Sequence, residues 1–204
     1  MFSTIHNEQD QLSKQILNAA SELYLKYGFK KVTMDDISKT IGKSRTSIYY
    51  YYKNREEVFQ AVLSSLVQEV AAEIGNAMDE QKTIEEKIRA FCLTKITTSE
   101  SKKPFFTAVE AGMNAEEKSR HSRVMEVVHQ HLMDGEKIIL TKALSESSSK
   151  KEIRLLTQEE QDTVIFILQS SIRGIKREMI LKNSFDDLNT TVDVLTSMTI
   201  KWLE

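Results

Sequence analysis

The sequence predicts an all-α protein, with an amino-terminal three-helix head containing a helix-turn-helix and a larger carboxy-terminal helical bundle. Three observations carry this. Glycine and proline, at 6 and 1 of 204 residues, fall well below the roughly 12% of average usage, so turns are few and helices long. Apolar residues recur at three- and four-residue spacing along most of the chain, the period of a helix with one buried face. No stretch keeps the alternation of a half-buried strand, and no internal repeat stands out,.

Leu12, Ile16, Ala19, Ala20, Leu23, Tyr24 and Tyr27 share one helical face, and Gly28 follows as the stop,. Thr33 is placed to cap a second helix, with Asp35 and Asp36 at its positive end and Gly42 closing it,. Ser44 caps a third, short helix over 45–52, which completes the helix-turn-helix,. From Arg55 a stripe of Val58, Phe59, Val62, Leu63, Leu66 and Val70 predicts a long helix to about Met78. Ile84, Ile88, Phe91, Cys92 and Ile96 mark a helix over 83–98, and the segment 99–103 before Pro104 reads as an interruption,. A short helix over 105–111 then ends at Gly112. Val124, Val128, Leu132, Ile139 and Ala143 belong to a further long helix, 145–154 reads as a polar loop, and two helices over 158–181 and 186–203 finish the chain. The domains expected are 1–54, the head, and 55–204, the bundle.

The net charge of −2 conceals an asymmetry. Residues 1–55 carry 9 Lys and Arg against 5 acids, whereas the remainder carries 19 against 25. A basic head on an acidic body points to an anionic partner for the head. Cys92, the single cysteine, excludes an intramolecular disulfide and sits on an apolar stripe, where packing is its expected role. Met1–Glu8 shows no basic segment leading into an apolar one, and the longest apolar run, Val164–Leu168, is far short of a membrane span,. The expectation is a cytoplasmic protein with no membrane partner.

The third helix has two chemically different faces. Ile48 and Tyr52 are four apart and can pack inward, while Arg45, Thr46, Tyr49 and Tyr50 lie opposite,. Arginine can bind guanine in two-pronged fashion, threonine can meet a thymine methyl or a base edge, and phenols can reach phosphates. Lys43 and Lys53 flank the helix, and Thr33 and Ser44 stand at helix starts, where backbone amides attract phosphate,. Four successive tyrosines, Tyr49–Tyr52, cannot all face one side of a helix, so one or two must point outward. The DNA-binding set expected is therefore Thr33, Lys43, Ser44, Arg45, Thr46, Tyr49, Tyr50 and Lys53.

The run Ile37–Glu57, with Tyr27-Gly28-Phe29 and Val32-Thr33 upstream, resembles the TetR family of bacterial transcriptional regulators over roughly residues 16–62. Lys43, Thr46 and Tyr52 stand where that family frequently has an apolar residue, Gly and Phe. The first two fall on the DNA-facing surface and bear on which operator is read. A buried Tyr52 would need a partner for its hydroxyl. The resemblance implies a repressor that binds a near-palindromic double-stranded DNA operator as a homodimer and is released by a small-molecule effector. It also implies that the last two helices form the dimer interface. Val164, Leu168, Ile172 and Ile175 on one helix, and Leu188, Val192, Leu195 and Trp202 on the other, supply the stripes, with Ser171 small enough for close approach. For the effector pocket, Phe91, Phe105, Phe106, Met125 and Phe166 offer apolar surface, with His129 and Gln169 as polar orienters, which suggests a largely apolar ligand.

An enzymatic body is not expected. Glu126-Val127-Val128-His129 is half of a di-iron bundle motif without a second half, and His121, His129 and His131 lack metal-pair spacing,. No phosphate loop or nucleophile elbow occurs, and no cofactor or metal is expected. The alternative is a helical interaction module or enzyme whose basic head docks an acidic partner.

Overall fold

The computed structural model describes residues 2–204, with side chains from residue 11 onward. Its described residues form α1 (Phe2–Tyr27), a 3-10 turn (Phe29–Lys31), α2 (Met34–Thr40), α3 (Arg45–Tyr49), α4 (Arg55–Asp79), α5 (Ile84–Glu110), α6 (Ala115–Ser149), α7 (Gln158–Lys182) and α8 (Leu188–Leu203). No strand occurs among them, as the scarcity of breakers predicts.

The chain packs into two compact units. Residues up to Val67, together with Lys102–His129, make the first, and Gln68–Ser101 with Gln130–Glu204 make the second. The division after residue 54 follows position along the chain, whereas packing groups 55–67 and 102–129 with the head because α4, α5 and α6 each supply apolar residues to both cores.

In the first unit, Ile16, Ala20 and Tyr24 of α1, Ile37 of α2, Ile48 of α3 and Val58 of α4 are fully buried. An aromatic trio of Tyr24, Phe29 and Phe59, with ring centroids 4.5–5.6 Å apart, ties α1 to α4 through the turn between α1 and α2. Gly28 sits at φ 79°, and a Cβ there would come within 2.9 Å of the Ala108 carbonyl oxygen. Both the left-handed backbone and the close approach to α5 require glycine at this position. The second core gathers Val70 and Ile74 of α4, Phe91, Cys92 and Ile96 of α5, Leu140 and Leu144 of α6, Leu168 and Ile172 of α7, and Val192 of α8.

Three expectations are corrected. The break at 99–103 does not occur, and α5 runs through Pro104 as one helix. Proline costs a backbone hydrogen bond, but Phe105, the next residue, and Val109, five residues beyond the proline, are buried in the first core. That packing holds the helix on its course. Residues 145–149 extend α6 rather than forming a loop, because Leu144 and Ser147 are buried while Ser149 Oγ donates back to the Ser145 carbonyl. The third helix is shorter than expected, ending at Tyr49 with Tyr50 at its cap.

Candidate nucleic-acid interface

Local chemistry builds the two short helices. Thr33 and Asp36 form a reciprocal cap on α2, in which Asp36 N donates to Thr33 Oγ1 at 3.2 Å and Thr33 N donates to Asp36 Oδ2 at 2.9 Å,. The Thr33 hydroxyl also donates to Asp36 Oδ2, and these bonds hold the Asp36 carboxyl below its ordinary range,. Thr33 must therefore give up its bond to Asp36 before its hydroxyl can donate to a phosphate. Gly42, at φ 65°, turns the chain after α2, and Lys43 N donates to the Ser38 carbonyl. Ser44 caps α3 by accepting from Ser47 N at 3.2 Å. Lys53 N donates to Glu57 Oε2 and Glu57 N to Asn54 Oδ1, which starts α4 immediately after α3.

Thr33, Lys43, Ser44, Arg45, Thr46, Tyr49, Tyr50 and Lys53 are all solvent-exposed, while Ile48 is fully buried. Of the four tyrosines, Tyr49 and Tyr50 face out and Tyr51 and Tyr52 are half-buried. The Tyr52 hydroxyl finds its partner in Ser13 Oγ, 2.9 Å away on α1. Arg45 is held in place before any ligand arrives: its Nε lies 3.2 Å from Asp35 Oδ1, and its Nη2 donates to the Tyr49 phenol at 3.3 Å. Its guanidinium thus stands on the open face of α3, paired with an acid that a nucleic acid would have to displace.

The expected pocket residues fall in different units. Phe105, Phe106, Met125 and His129 belong to the first, and Phe91, Phe166 and Gln169 to the second. Phe166 is 64% exposed and His129 is also exposed, so neither is interior to its unit. Phe91 and Gln169 are buried, and they bring in two groups that sequence reasoning missed. Lys95 Nζ lies 2.6 Å from Glu136 Oε2, Gln169 Nε2 donates to the same oxygen at 3.0 Å, and the Lys95 ammonium lies 5.5 Å from the centre of the Phe91 ring. Glu136 is fully buried, and its Oε1 has no hydrogen-bond partner. The available signal was a lysine and a glutamate on otherwise apolar faces of α5 and α6. Cys92 is fully buried and its thiol is pushed up to about 12 by desolvation, so it stays protonated and serves packing.

The expected dimer stripes lie largely within the second unit. Val164, Leu168, Ile172 and Val192 are interior to the second unit's own core, and Ile175, Leu188 and Leu195 pack against it. Ser171 is half-buried, and Trp202 alone of that set is exposed. Each helix carries two apolar faces, and the stripe with the stronger periodicity is spent inside the subunit. The faces left exposed present Phe166, Ile167 and Leu181 on α7 and Val194, Met198 and Trp202 on α8.

No helix among the described residues is long and apolar enough to cross a membrane. Residues 16–62 match the family described as bacterial regulatory proteins, tetR family. An uncharacterized helix-turn-helix (HTH)-type transcriptional regulator of Bacillus subtilis, YhgD, is 31% identical over 75 residues, which cover 37% of this chain and 39% of that protein. IcaR of Staphylococcus epidermidis, a negative transcriptional regulator of a biofilm operon, is 35% identical over 49 residues, 24% of this chain and 26% of its own. These alignments thus span well under half of either relative. The structure of the transcriptional regulator FadR from Bacillus subtilis, in complex with stearoyl-CoA, superposes with a TM-score of 0.59 at 16% identity, covering 94% of this chain and 99% of that one. The likeness over the full length is one of fold, and the head carries the sequence relationship. Residues 16–62 thus form the helix-turn-helix domain of the tetR family of bacterial regulatory proteins.

Proposed function

We propose that the protein is a dimeric repressor whose heads, residues 1–54, bind a near-palindromic operator in double-stranded DNA and let go when a small, largely apolar effector occupies the body. The observation that carries the proposal is the exposed face of α3, where Arg45, Thr46, Tyr49 and Tyr50 stand clear of the core that Ile48 enters, with Lys43 and Lys53 at either side. In this reading Arg45 and Thr46 contact base edges, the phenols and Ser44 contact phosphate, and the lysines set register. Thr33 joins them once its hydroxyl is freed from Asp36. A helix-turn-helix dimer reads half-sites about 34–36 Å apart.

The dimer is proposed to form through the exposed apolar faces of α7 and α8, where the exposed Gly174 allows a second backbone to approach. Several large apolar side chains left in water on two adjacent helices favour such burial. For the effector, the aromatic and methionine side chains of the body support a molecule that is largely apolar,. That a protein of the same fold was crystallised with stearoyl-CoA fits an effector with an apolar body. Such a ligand acts by favouring a dimer geometry that spoils the spacing of the heads; a differential of about 1–3 kcal/mol weakens operator binding some 5- to 150-fold. The protein works in the cytoplasm as a regulator rather than an enzyme.

Selection of bound sequences from a random duplex pool tests this reading directly. The expected result is an inverted repeat whose affinity falls linearly with the logarithm of salt concentration. Failure to enrich any sequence, with binding instead to acidic protein, would refute it.

A further inference from the structure

The face assigned above to DNA also carries an acid, Asp35, which the operator-binding reading leaves without a role. Asp35 lies on α2, and its side chain meets that of Arg45 in the open: Arg45 Nη1 donates to Asp35 Oδ2 at 3.4 Å, and Nε lies 3.2 Å from Oδ1. Both side chains remain well exposed, at 48% for Asp35 and 61% for Arg45. The neighbouring acid is differently placed. Asp36 accepts from both the amide and the hydroxyl of Thr33 and is committed to the cap of α2, a cap that leaves the Asp35 carboxylate out.

A carboxylate on such a surface is repelled by the phosphates unless a donor reaches it. While Arg45 stays beside Asp35, the charge is balanced. Once a guanine takes the guanidinium through O6 and N7, Asp35 faces the duplex with a full negative charge and no cation. The donors in the major groove are the amino groups of cytosine and adenine. Adenine N6 sits next to N7, an acceptor that repels a carboxylate, whereas cytosine N4 has no acceptor on that side, and it is the amino group with which Asp and Glu pair. Cytosine is therefore the base that satisfies the freed acid. Tyr49 holds Arg45 from the other side, its phenol accepting from Nη2 at 3.3 Å, so the guanidinium stays close to Asp35 when the two part. The 3.2–3.4 Å between carboxylate and guanidinium is close to the roughly 3.4 Å rise between successive base pairs, which suits the two groups to neighbouring pairs.

We propose that Asp35 is a second base-reading residue, which accepts a hydrogen bond from the amino group of a cytosine in the base pair next to the guanine read by Arg45. The Arg45–Asp35 pair of the free protein is exchanged for two contacts on the DNA. Thymine or guanine in the cytosine's place sets acceptor atoms against the acid, so the site selects by repulsion as well as by attraction. This inference rests on the operator-binding reading.

Selection from a random duplex pool with the full chain, Asp35→Ala and Arg45→Ala tests the assignment. The exposed Asp35 carboxylate takes no part in the α2 cap, so its removal leaves the head folded. The wild type is expected to enrich a guanine with a neighbouring cytosine in each half-site. Asp35→Ala should lose the cytosine preference, roughly tenfold, and keep the guanine, while Arg45→Ala should lose the guanine and keep the cytosine. Affinity of Asp35→Ala for random-sequence duplex, read by fluorescence anisotropy, should rise about two- to fivefold, the scale of one solvent-exposed charge contact. Three results overturn the proposal while leaving the operator-binding reading intact: Asp35→Ala enriching the wild-type sequence, Asp35→Ala and Arg45→Ala relaxing the same position, or a fall in the affinity of Asp35→Ala for random duplex. The second of these would mean that Asp35 merely steers Arg45. A wild type that enriches no sequence overturns the operator-binding reading and this inference with it.

Discussion

Replacing Lys95 by methionine should destabilise the second unit far more than replacing the whole polar cluster it belongs to. Glu136 is fully buried, with Oε1 unmatched and Oε2 held by Lys95 at 2.6 Å and Gln169 at 3.0 Å. Lys95→Met keeps the aliphatic stem against Phe91 and removes the charge, so a desolvated carboxylate is left with the Gln169 amide alone. Breaking a buried pair in this way costs about 3–5 kcal/mol. For a chain of this size each kcal/mol moves the midpoint by about 2–4 °C, so a drop of roughly 6–20 °C is expected. The triple variant Lys95→Met, Glu136→Leu, Gln169→Leu removes the desolvated groups together and should recover most of that loss. Trp202, the single tryptophan, lies in the second unit, so its fluorescence in denaturant reports on that unit. A loss below about 1 kcal/mol in Lys95→Met, or a triple variant no more stable than the single one, would refute the account of the cluster as a costly buried pair.

Further outcomes follow from the same geometry. Arg45→Ala should relax preference at one operator position by roughly ten- to a hundredfold, whereas Lys53→Ala should weaken all sequences alike and reduce the salt slope by about one; equal effects across a panel of operator variants would contradict these roles. Met198→Asp or Phe166→Asp should give a folded monomer by sedimentation, while Ile172→Asp, which buries a charge in the subunit's own core, should unfold the second unit; dimers persisting in both surface variants would exclude that face. Burial holds His121 below the ordinary histidine range and the Glu110 carboxylate opposes this, with Lys30, Arg55 and Arg120 as the cations and Glu56 and Glu117 as the further acids of the cavity beside it. The unfolded chain therefore binds the proton more readily, and the first unit should keep its stability above about pH 6.5 and lose it progressively below. His121→Phe should flatten that acid slope in thermal melts, and an unchanged slope would remove His121 as its source.

How much of the architecture was readable from sequence depended on how local the determining interactions are. The caps at Thr33 and Ser44, the turn at Gly42 and the inward Ile48 each depend on residues within a few positions, and the order of residues states them. The need of Tyr52 for a partner was equally legible, but its identity was not: Ser13 lies 39 residues away. Pro104 shows the opposite case. A local rule predicted a break, and burial of Phe105 and Val109 overrode it.

The amino-acid sequence by itself determined the helical class, the helix-turn-helix and the polar face that α3 offers to a nucleic acid, because periodicity and capping act over one or two turns. Tertiary structure decided which apolar stripe of α7 and α8 faces inward, that Lys95, Glu136 and Gln169 meet, and that His121 closes a basic-rimmed cavity. Those outcomes depend on which helices pack together, and a helix with two apolar faces carries no local mark of which one its own chain will cover.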